Sequence, residues 1–202
     1  MTIITWPTAL RPRACSLGLR KSTQQFSSPF NGTPQVVDFN AERWVLSVVF
    51  SVVSRRTTPV ISGAEESFIF RLAGGVDWVS AWHFAREAPV GTARGTPTLS
   101  ATANRGDASL AVTGATASGT YKAGDMLGAG AQLFMVRDDV TLNGSGAGTV
   151  NLVNRVRATI ASASAVTWDK PTAYFATLAN LASVAHVPGF MEGTTIDLLE
   201  VW

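Results

Sequence analysis

The sequence predicts a mainly β protein made of two β units and one short helix. Strict alternation of apolar residues begins at Arg43, which is typical of a strand. Turn residues recur about every eight to twelve positions between residues 92 and 178, a spacing typical of a small sandwich or barrel. Charged residues make up only 15% of the chain and glycine occurs 18 times. This balance favours strands buried on both faces, or a subunit that hides surface in an assembly.

The first 34 residues are irregular and contain four prolines, Pro7, Pro12, Pro29 and Pro34. Proline fixes φ and removes a ladder donor, so we expect an extended arm with at most short strands. Residues 22–40 of this arm could lie along a neighbouring subunit by adding a strand to it. The predicted interface residues are its apolar side chains, Phe26, Phe30, Val36, Val37 and Phe39.

A long strand follows the arm. The even positions form one wholly apolar face, while the odd positions are mixed. The apolar face consists of Trp44, Leu46, Val48, Phe50 and Val52. Period two over ten residues predicts a strand rather than a helix.

The segment "SGAEESFIFRLAGG" predicts a short helix. Ser62 is placed to cap it, Glu65 completes a capping box three residues later, and Gly74-Gly75 ends it. Phe68 and Leu72 are four residues apart and would pack the helix on a sheet.

Two further strands complete the first unit. "VDWVSAWHF" predicts a strand, and "TTIDLLEVW" predicts another at residues 194–202. In the former, one face would carry Val76, Trp78, Trp82 and Phe84, and the other Asp77, Val79 and His83.

Residues 92–178 are predicted to form an inserted β domain, with residues 1–91 and 179–202 as the body. Short alternating pieces in the insertion are separated by Gly, Asn, Asp and Ser turns. Its predicted inward residues include Ala108, Leu110 and Val112, and then Val150, Leu152, Val156 and Ile160.

Charge and hydropathy limit the partners. The formal net charge is +2, and the basic clusters are only the pairs Arg20-Lys21 and Arg55-Arg56, so we expect no direct nucleic-acid recognition. The apolar run at residues 45–53 is too short for a membrane span, so no membrane insertion is expected. With one cysteine, no intrachain disulfide forms, and we expect a soluble chain made in a reducing compartment.

Candidates for chemistry are few. His83 and His186 have no partner at a metal-binding spacing, and Cys15 lies in no protease signature. Asp125 could pair with another acid for glycoside hydrolysis, although Gly-Asp between strands is ordinary turn chemistry. The candidate second acids are Asp138, Asp139 and Asp169. We therefore predict no catalytic residue, no metal site and no cofactor.

Tryptophan occurs six times, at Trp6, Trp44, Trp78, Trp82, Trp168 and Trp202. If exposed, these rings could stack sugars. Since Trp44, Trp78 and Trp82 fall on predicted apolar strand faces, a core or subunit interface is favoured.

The order of motifs along the chain resembles a known family. The motifs are "WP", "FSSPFNGTPQVVDFNAERWVLSVVF", "FRLAGG", "PVGTARGTPTLSATANRGDASLAVTG", "YKAGDML", "LFMV", "GAGTVNLVNRVR", "KPTAYFATL" and "LLEVW". In this order they resemble virion proteins of tailed bacteriophages, similar to distal tail (tail-tip ring) proteins. The resemblance covers nearly the whole chain and rests on the order of the motifs.

The resemblance implies a β-sandwich body carrying an inserted small β-barrel or sandwich domain. It also implies a ring homo-oligomer at the tail end, assembled in the host cytoplasm and bound to tail tube, tape-measure and hub or fibre proteins. It carries over no catalytic residue. The alternatives are a carbohydrate-binding module that recognises host surface glycan through the insertion, a small hydrolase using Asp125, and a neck or capsid-associated structural protein.

Overall fold

The structure, a computed structural model, describes residues 2–27, 29–39, 41–54 and 56–202. Ser28 and Asn40 of the predicted arm and Arg55 of the basic pair lie outside the described residues, as does Met1. The described part is mainly β with one α-helix and several sheets, which confirms the predicted fold class.

The elements are numbered in chain order. The first strands are β1 (Ile3–Thr5), β2 (Ala14–Arg20), β3 (Thr23–Ser27), β4 (Pro34–Asp38), β5 (Arg43–Val49), β6 (Val53–Ser54), β7 (Trp78–Ala81), β8 (Gly95–Leu99) and β9 (Ser109–Ala115). The later strands are β10 (Thr120–Tyr121), β11 (Met126–Ala129), β12 (Gln132–Met135), β13 (Val140–Thr141), β14 (Gly148–Asn151), β15 (Val166–Thr167), β16 (Ala173–Thr177), β17 (His186–Val187), β18 (Phe190–Met191) and β19 (Thr195–Val201). The helix α1 covers Pro59–Leu72 and is followed by a 3₁₀ turn at Ala73–Gly75.

The body contains a six-stranded sheet in the order β1-β7-β16-β19-β5-β2. β1 runs parallel to β7, while β16 and β19 pair antiparallel with their neighbours. Trp44, Leu46 and Val48 of β5 are buried, as their alternation predicts. Val52 is instead exposed, because β5 ends at Val49, where its register with β19 ends.

The N-terminal segment differs from the predicted arm. β1 and β2 belong to the body sheet, and Trp6 between them is buried. The Trp6 ring contacts Phe68 of α1, at 5.0 Å between centroids. Pro7 and Pro12 lie in the loop between the two strands, so they do not remove ladder donors. Of the strands described in this segment, β3 and β4 are the two in which every residue is exposed.

The helix begins earlier than predicted and is not capped by Ser62. Thr58 is the N-cap, Pro59 occupies the first turn, and no side chain caps the helix. Ser62 is buried inside the helix, where its hydroxyl donates to the Pro59 carbonyl oxygen at 3.0 Å. The predicted end is confirmed, since Gly74 adopts a φ of +77° directly after the helix.

Strand β7 faces the opposite way from the prediction. Val79 and Ala81 are buried, whereas Val76 is exposed and Trp78 is half-buried. Apolar residues occur at both odd and even positions here, so alternation alone did not determine which face of the strand is buried. Trp78 packs instead on Tyr174 of the neighbouring β16, with ring centroids 6.4 Å apart.

The inserted β unit is a small closed barrel. Its two three-stranded sheets are β14-β9-β8 and β12-β11-β15. Bridges from Thr98 to Ala165 and from Val136 to Leu152 join the sheets on both sides. The interior holds buried apolar residues that alternation predicts, among them Leu110, Val112, Val150, Leu152, Val156 and Ile160.

The chain divides into two compact units. One comprises residues 1–18, 44–87 and 169–202, and the other 19–43 and 88–168. The sequence predicts 92–178 for the insertion, but β16 pairs with β7 and β19 in the body sheet. In the described residues, the helix lacks the length and apolar composition needed to cross a bilayer.

Candidate functional site: an exposed apolar hairpin

The hairpin of β3 and β4 carries all the predicted interface residues on its surface. Phe26 is 48% exposed, Val37 38% and Phe39 51%. Val36 is 60% exposed, and Phe30, in the turn between the strands, is 97% exposed. Every residue of both strands is exposed. Apolar side chains so placed are typical of an interaction surface rather than of a core.

The register divides these residues between two faces. Phe26 lies opposite Gln35 and Val37 opposite Gln24, so both point to one side of the hairpin. Phe39 lies two residues beyond Val37 on the same side, where its amide donates to the Ser22 carbonyl oxygen at 2.9 Å. We call Phe26, Val37 and Phe39 the apolar face. Val36 lies opposite Gln25 on the other face.

The base of the hairpin is anchored by a buried carboxylate. Glu42 is only 2% exposed, and its Oε2 accepts the Arg155 amide of the barrel unit at 3.0 Å. The Lys21 ammonium, just before β3, lies 3.4 Å from Glu42 Oε1. The chain is therefore held just before β3 and just after β4, while the residues of both strands are exposed.

The hairpin has few charges. Between residues 22 and 39, Asp38 is the one charged residue in the sequence. Charged residues are depleted in the cores of protein interfaces, and isolated two-stranded hairpins are marginally stable in water. This composition suits a segment that is covered by a partner.

Asp125, the sequence candidate for acid chemistry, is a turn residue. Its carboxylate accepts the amides of Val90 at 2.7 Å, Gly91 at 3.1 Å and Lys122 at 2.8 Å. The side chain is only 4% exposed. A carboxylate bonded to three amides holds two loops together, so the turn interpretation is confirmed.

The acids considered as partners for Asp125 are engaged elsewhere or lie in the other unit. Asp139 accepts the Lys122 ammonium at 2.7 Å and the Ala123 amide at 2.9 Å, and these bonds lower the pKa of its carboxyl. Asp138 accepts from Arg137 and Asn151. Asp169 is exposed and belongs to the body unit.

The histidines and the cysteine are separate. His83 follows β7 in a loop, not in a strand as predicted; its Nδ1 accepts the Ala85 amide, and burial lowers its pKa. His186 Nε2 lies 3.4 Å from Glu66 Oε1, and Cys15 is a half-buried free thiol in β2. The described residues contain no group of three His, Cys, Asp or Glu placed to hold a metal ion.

The tryptophans lie in several different environments. Trp6 and Trp44 are buried in the body, as a core role predicts for Trp44. Trp168, on the barrel, donates from Nε1 to the Gly95 carbonyl oxygen at 2.9 Å, and the Arg94 guanidinium lies 4.9 Å from its ring centroid. Trp82 is half-buried beside a cavity of the body.

Two features escaped sequence reasoning. The anchor at Glu42 is one, although a glutamate between a hairpin with a single charge and a strand was a usable signal. The other is the cavity, which brings together residues as distant as Trp6 and Lys170. No local pattern indicates a contact over that separation.

Comparison with known proteins adds no family. The chain matches no protein-family model, and no curated protein sequence is significantly similar to it.

Proposed function

We propose that this chain is a structural subunit of a tailed-bacteriophage virion, of the distal tail (tail-tip ring) kind, and that its copies associate through the hairpin. The observation that carries the proposal is the apolar face of Phe26, Val37 and Phe39, exposed on a firmly anchored and nearly uncharged hairpin. The order of sequence motifs supplies the virion context.

A second copy of the chain is the proposed occupant of the apolar face. Head-to-tail rings require two different surfaces on each subunit. The body offers a second apolar surface at the β17–β18 hairpin, where the paired residues Val187 and Phe190 are 43% and 47% exposed. The hairpin of one copy would pack on this surface of the next, and repetition would close the ring.

The remaining partners follow from the resemblance. The ring would join the tail tube and tape-measure protein to the hub or fibres, in a particle assembled in the host cytoplasm. No catalytic step is assigned to the chain, and neither nucleic-acid recognition nor membrane insertion enters the proposal.

The alternatives differ in what supports them. For glycan recognition through the insertion, Trp168 offers a half-exposed ring, but Arg94 lies over it. For a hydrolase, Asp125 would have to exchange its three amide partners for substrate. A neck or capsid-associated subunit would use the same apolar face, and only its location in the particle would differ.

Light scattering of the purified chain tests the association. We expect a mass that is a multiple of the 21.3 kDa monomer, and loss of the oligomer in Val37→Asp, because the charge would be buried on the apolar face. Val36→Asp is the matched control, since it places the same charge on the neighbouring residue and the opposite face. An oligomer that survives Val37→Asp, or is lost equally in both variants, contradicts the proposal.

The virion location has its own test. Gold-labelled antibody against this chain should mark the tail tip in negative-stain images of particles made by the phage that encodes it. Label at the neck or head would favour the alternative structural role, and particles without label would exclude a virion role.

A further inference from the structure

The body contains an open cavity of about 410 Å³ whose walls come from three segments. Trp6 and the loop after β1 form the first wall. Trp82 and Phe84, which follow β7, form the second wall, and Lys170, which precedes β16, forms the third. This volume lies within the range of small-ligand pockets. All the residues that line the cavity belong to the body unit.

The cavity is preformed. The Trp6 indole Nε1 donates to the Leu10 carbonyl oxygen at 2.8 Å, and the Leu10 amide donates to the Pro7 carbonyl oxygen at 3.0 Å, so the loop folds back on itself. Two prolines, Pro7 and Pro12, further restrict it. Across the cavity, the Lys170 amide donates to the Glu87 carbonyl oxygen. A ligand would therefore cause little ordering of the backbone on binding.

The aromatic wall is a fixed apolar surface. Phe84 contacts Trp6 at 4.6 Å and Trp82 at 4.9 Å between ring centroids. Trp6 is also stacked on Phe50 at 6.0 Å, which fixes the ring from behind. Trp6 is itself buried, so the half-buried rings of Trp82 and Phe84 form the part of this wall that a compact ligand ring can reach.

The polar groups of the cavity select the charge of the ligand. Lys170 lies over the Trp82 ring at 5.7 Å and 3.6 Å from the Glu87 carboxylate, so these two charges offset each other. Arg11 is exposed and makes no hydrogen bond or ion pair with another described residue. A free guanidinium binds a carboxylate in a bidentate geometry, whereas a lysine–glutamate pair offers both a donor and an acceptor for hydroxyls.

From these groups we infer that the cavity binds the carboxylated ring of an acidic sugar. The ring packs its C–H face on the aromatic wall, its carboxylate pairs with Arg11, and its hydroxyls bond to Lys170 and Glu87. The inference concerns a site in the body and does not require the proposed assembly role.

Calorimetric titration of the full chain tests it with three probes. They are methyl glucuronide, methyl glucoside, which lacks the carboxylate, and cyclohexanecarboxylate, which lacks the hydroxyls. We expect methyl glucuronide to bind about 10-fold more tightly than either of the others, equivalent to about 1.4 kcal/mol.

Arg11→Gln should weaken glucuronide binding about 10-fold and leave glucoside binding unchanged, because only the carboxylate contact is lost. Arg105→Gln, an exposed arginine of the barrel unit, is the control and should change neither. No glucuronide binding, equal binding of glucoside, or equal binding of cyclohexanecarboxylate overturns the inference, as does an Arg11→Gln variant with unchanged affinity. Light scattering should show the same mass for Arg11→Gln as for the unmodified chain, which keeps this test independent of the association test.

Discussion

The barrel and the hairpin are both built from antiparallel strands, but the barrel buries its apolar side chains and the hairpin exposes them. In the barrel, apolar residues such as Leu110 and Phe134 are fully buried. Asn154, a buried polar residue of this unit, donates to the Leu133 carbonyl oxygen at 2.9 Å and accepts the Met135 amide at 3.1 Å. In the hairpin, Phe26 and Val37 have comparable hydrophobicity but remain exposed. The barrel thus buries its apolar residues within one chain, whereas the hairpin leaves them exposed, as we propose for a surface covered by a second copy.

The largest expected effect lies in the barrel. Asp125→Ala should lower the free energy of unfolding by about 3 kcal/mol, because it removes the acceptor of one buried and two partly buried amides. Urea denaturation followed by fluorescence measures the change.

Asp139→Ala is the control for this variant. Asp139 forms similar hydrogen bonds at an exposed position, so its loss should cost much less stability than the loss of Asp125. If the two variants were equally stable, burial would not distinguish the two carboxylates and the contrast between interior and surface would fail.

An intermediate effect is expected from Glu65, a buried carboxyl on the inner face of α1. Burial raises its pKa from 4.5 to about 7, and its Oε1 has no hydrogen-bond partner among the described residues. The folded state therefore holds the proton more tightly than the unfolded chain does. This contribution to stability is complete below pH 4.5 and is lost as the pH rises through about 7.

Glu65→Gln should remove this pH dependence. Its free energy of unfolding relative to the unmodified chain should rise by up to about 3 kcal/mol between acidic and weakly alkaline solution. Taking the difference between the two proteins cancels His83, whose lowered pKa acts with the opposite sign. A difference that does not vary with pH would show that Glu65 titrates normally in the folded protein.

Sequence reasoning succeeded where short-range periodicity decides the structure. The buried positions Leu46 and Val48, the barrel residues Leu110 and Val112, and the helix end at Gly74 all follow from local pattern. The orientation of β7 failed because apolar residues occur on both of its faces. Alternation cannot choose between faces when packing against Tyr174 accommodates a tryptophan outside.

The closure of the barrel by strands distant in sequence could not be predicted from local pattern. The barrel closes through pairs such as Thr98 with Ala165, which no local signal connects. Gly146 illustrates the limit: it has a φ of +70°, and a Cβ there would lie 1.9 Å from the Ala115 carbonyl oxygen. A glycine turn was evident from sequence, but the strand that passes so close to it was not.

For the candidate site, the sequence predicted the residues but not their geometry. The five predicted interface residues are all exposed, whereas their division between two faces depends on the register of β3 and β4. A one-residue shift would have placed Val36 beside Phe26. Because the register places Val36 and Val37 on opposite faces, single substitutions at these two positions can test the apolar face.

The smallest expected effect concerns the stability of the isolated subunit. At concentrations where the chain is monomeric, Val37→Thr should change the free energy of unfolding by less than about 0.5 kcal/mol, since the side chain is exposed and threonine keeps the β-branched shape. Val112→Thr, the same substitution at a buried barrel position, should cost more than about 1 kcal/mol because it buries a hydroxyl. Denaturation of both variants at matched concentration measures the contrast. A large loss in Val37→Thr would mean that the hairpin is already packed within its own subunit, and the apolar face would then be core rather than interface.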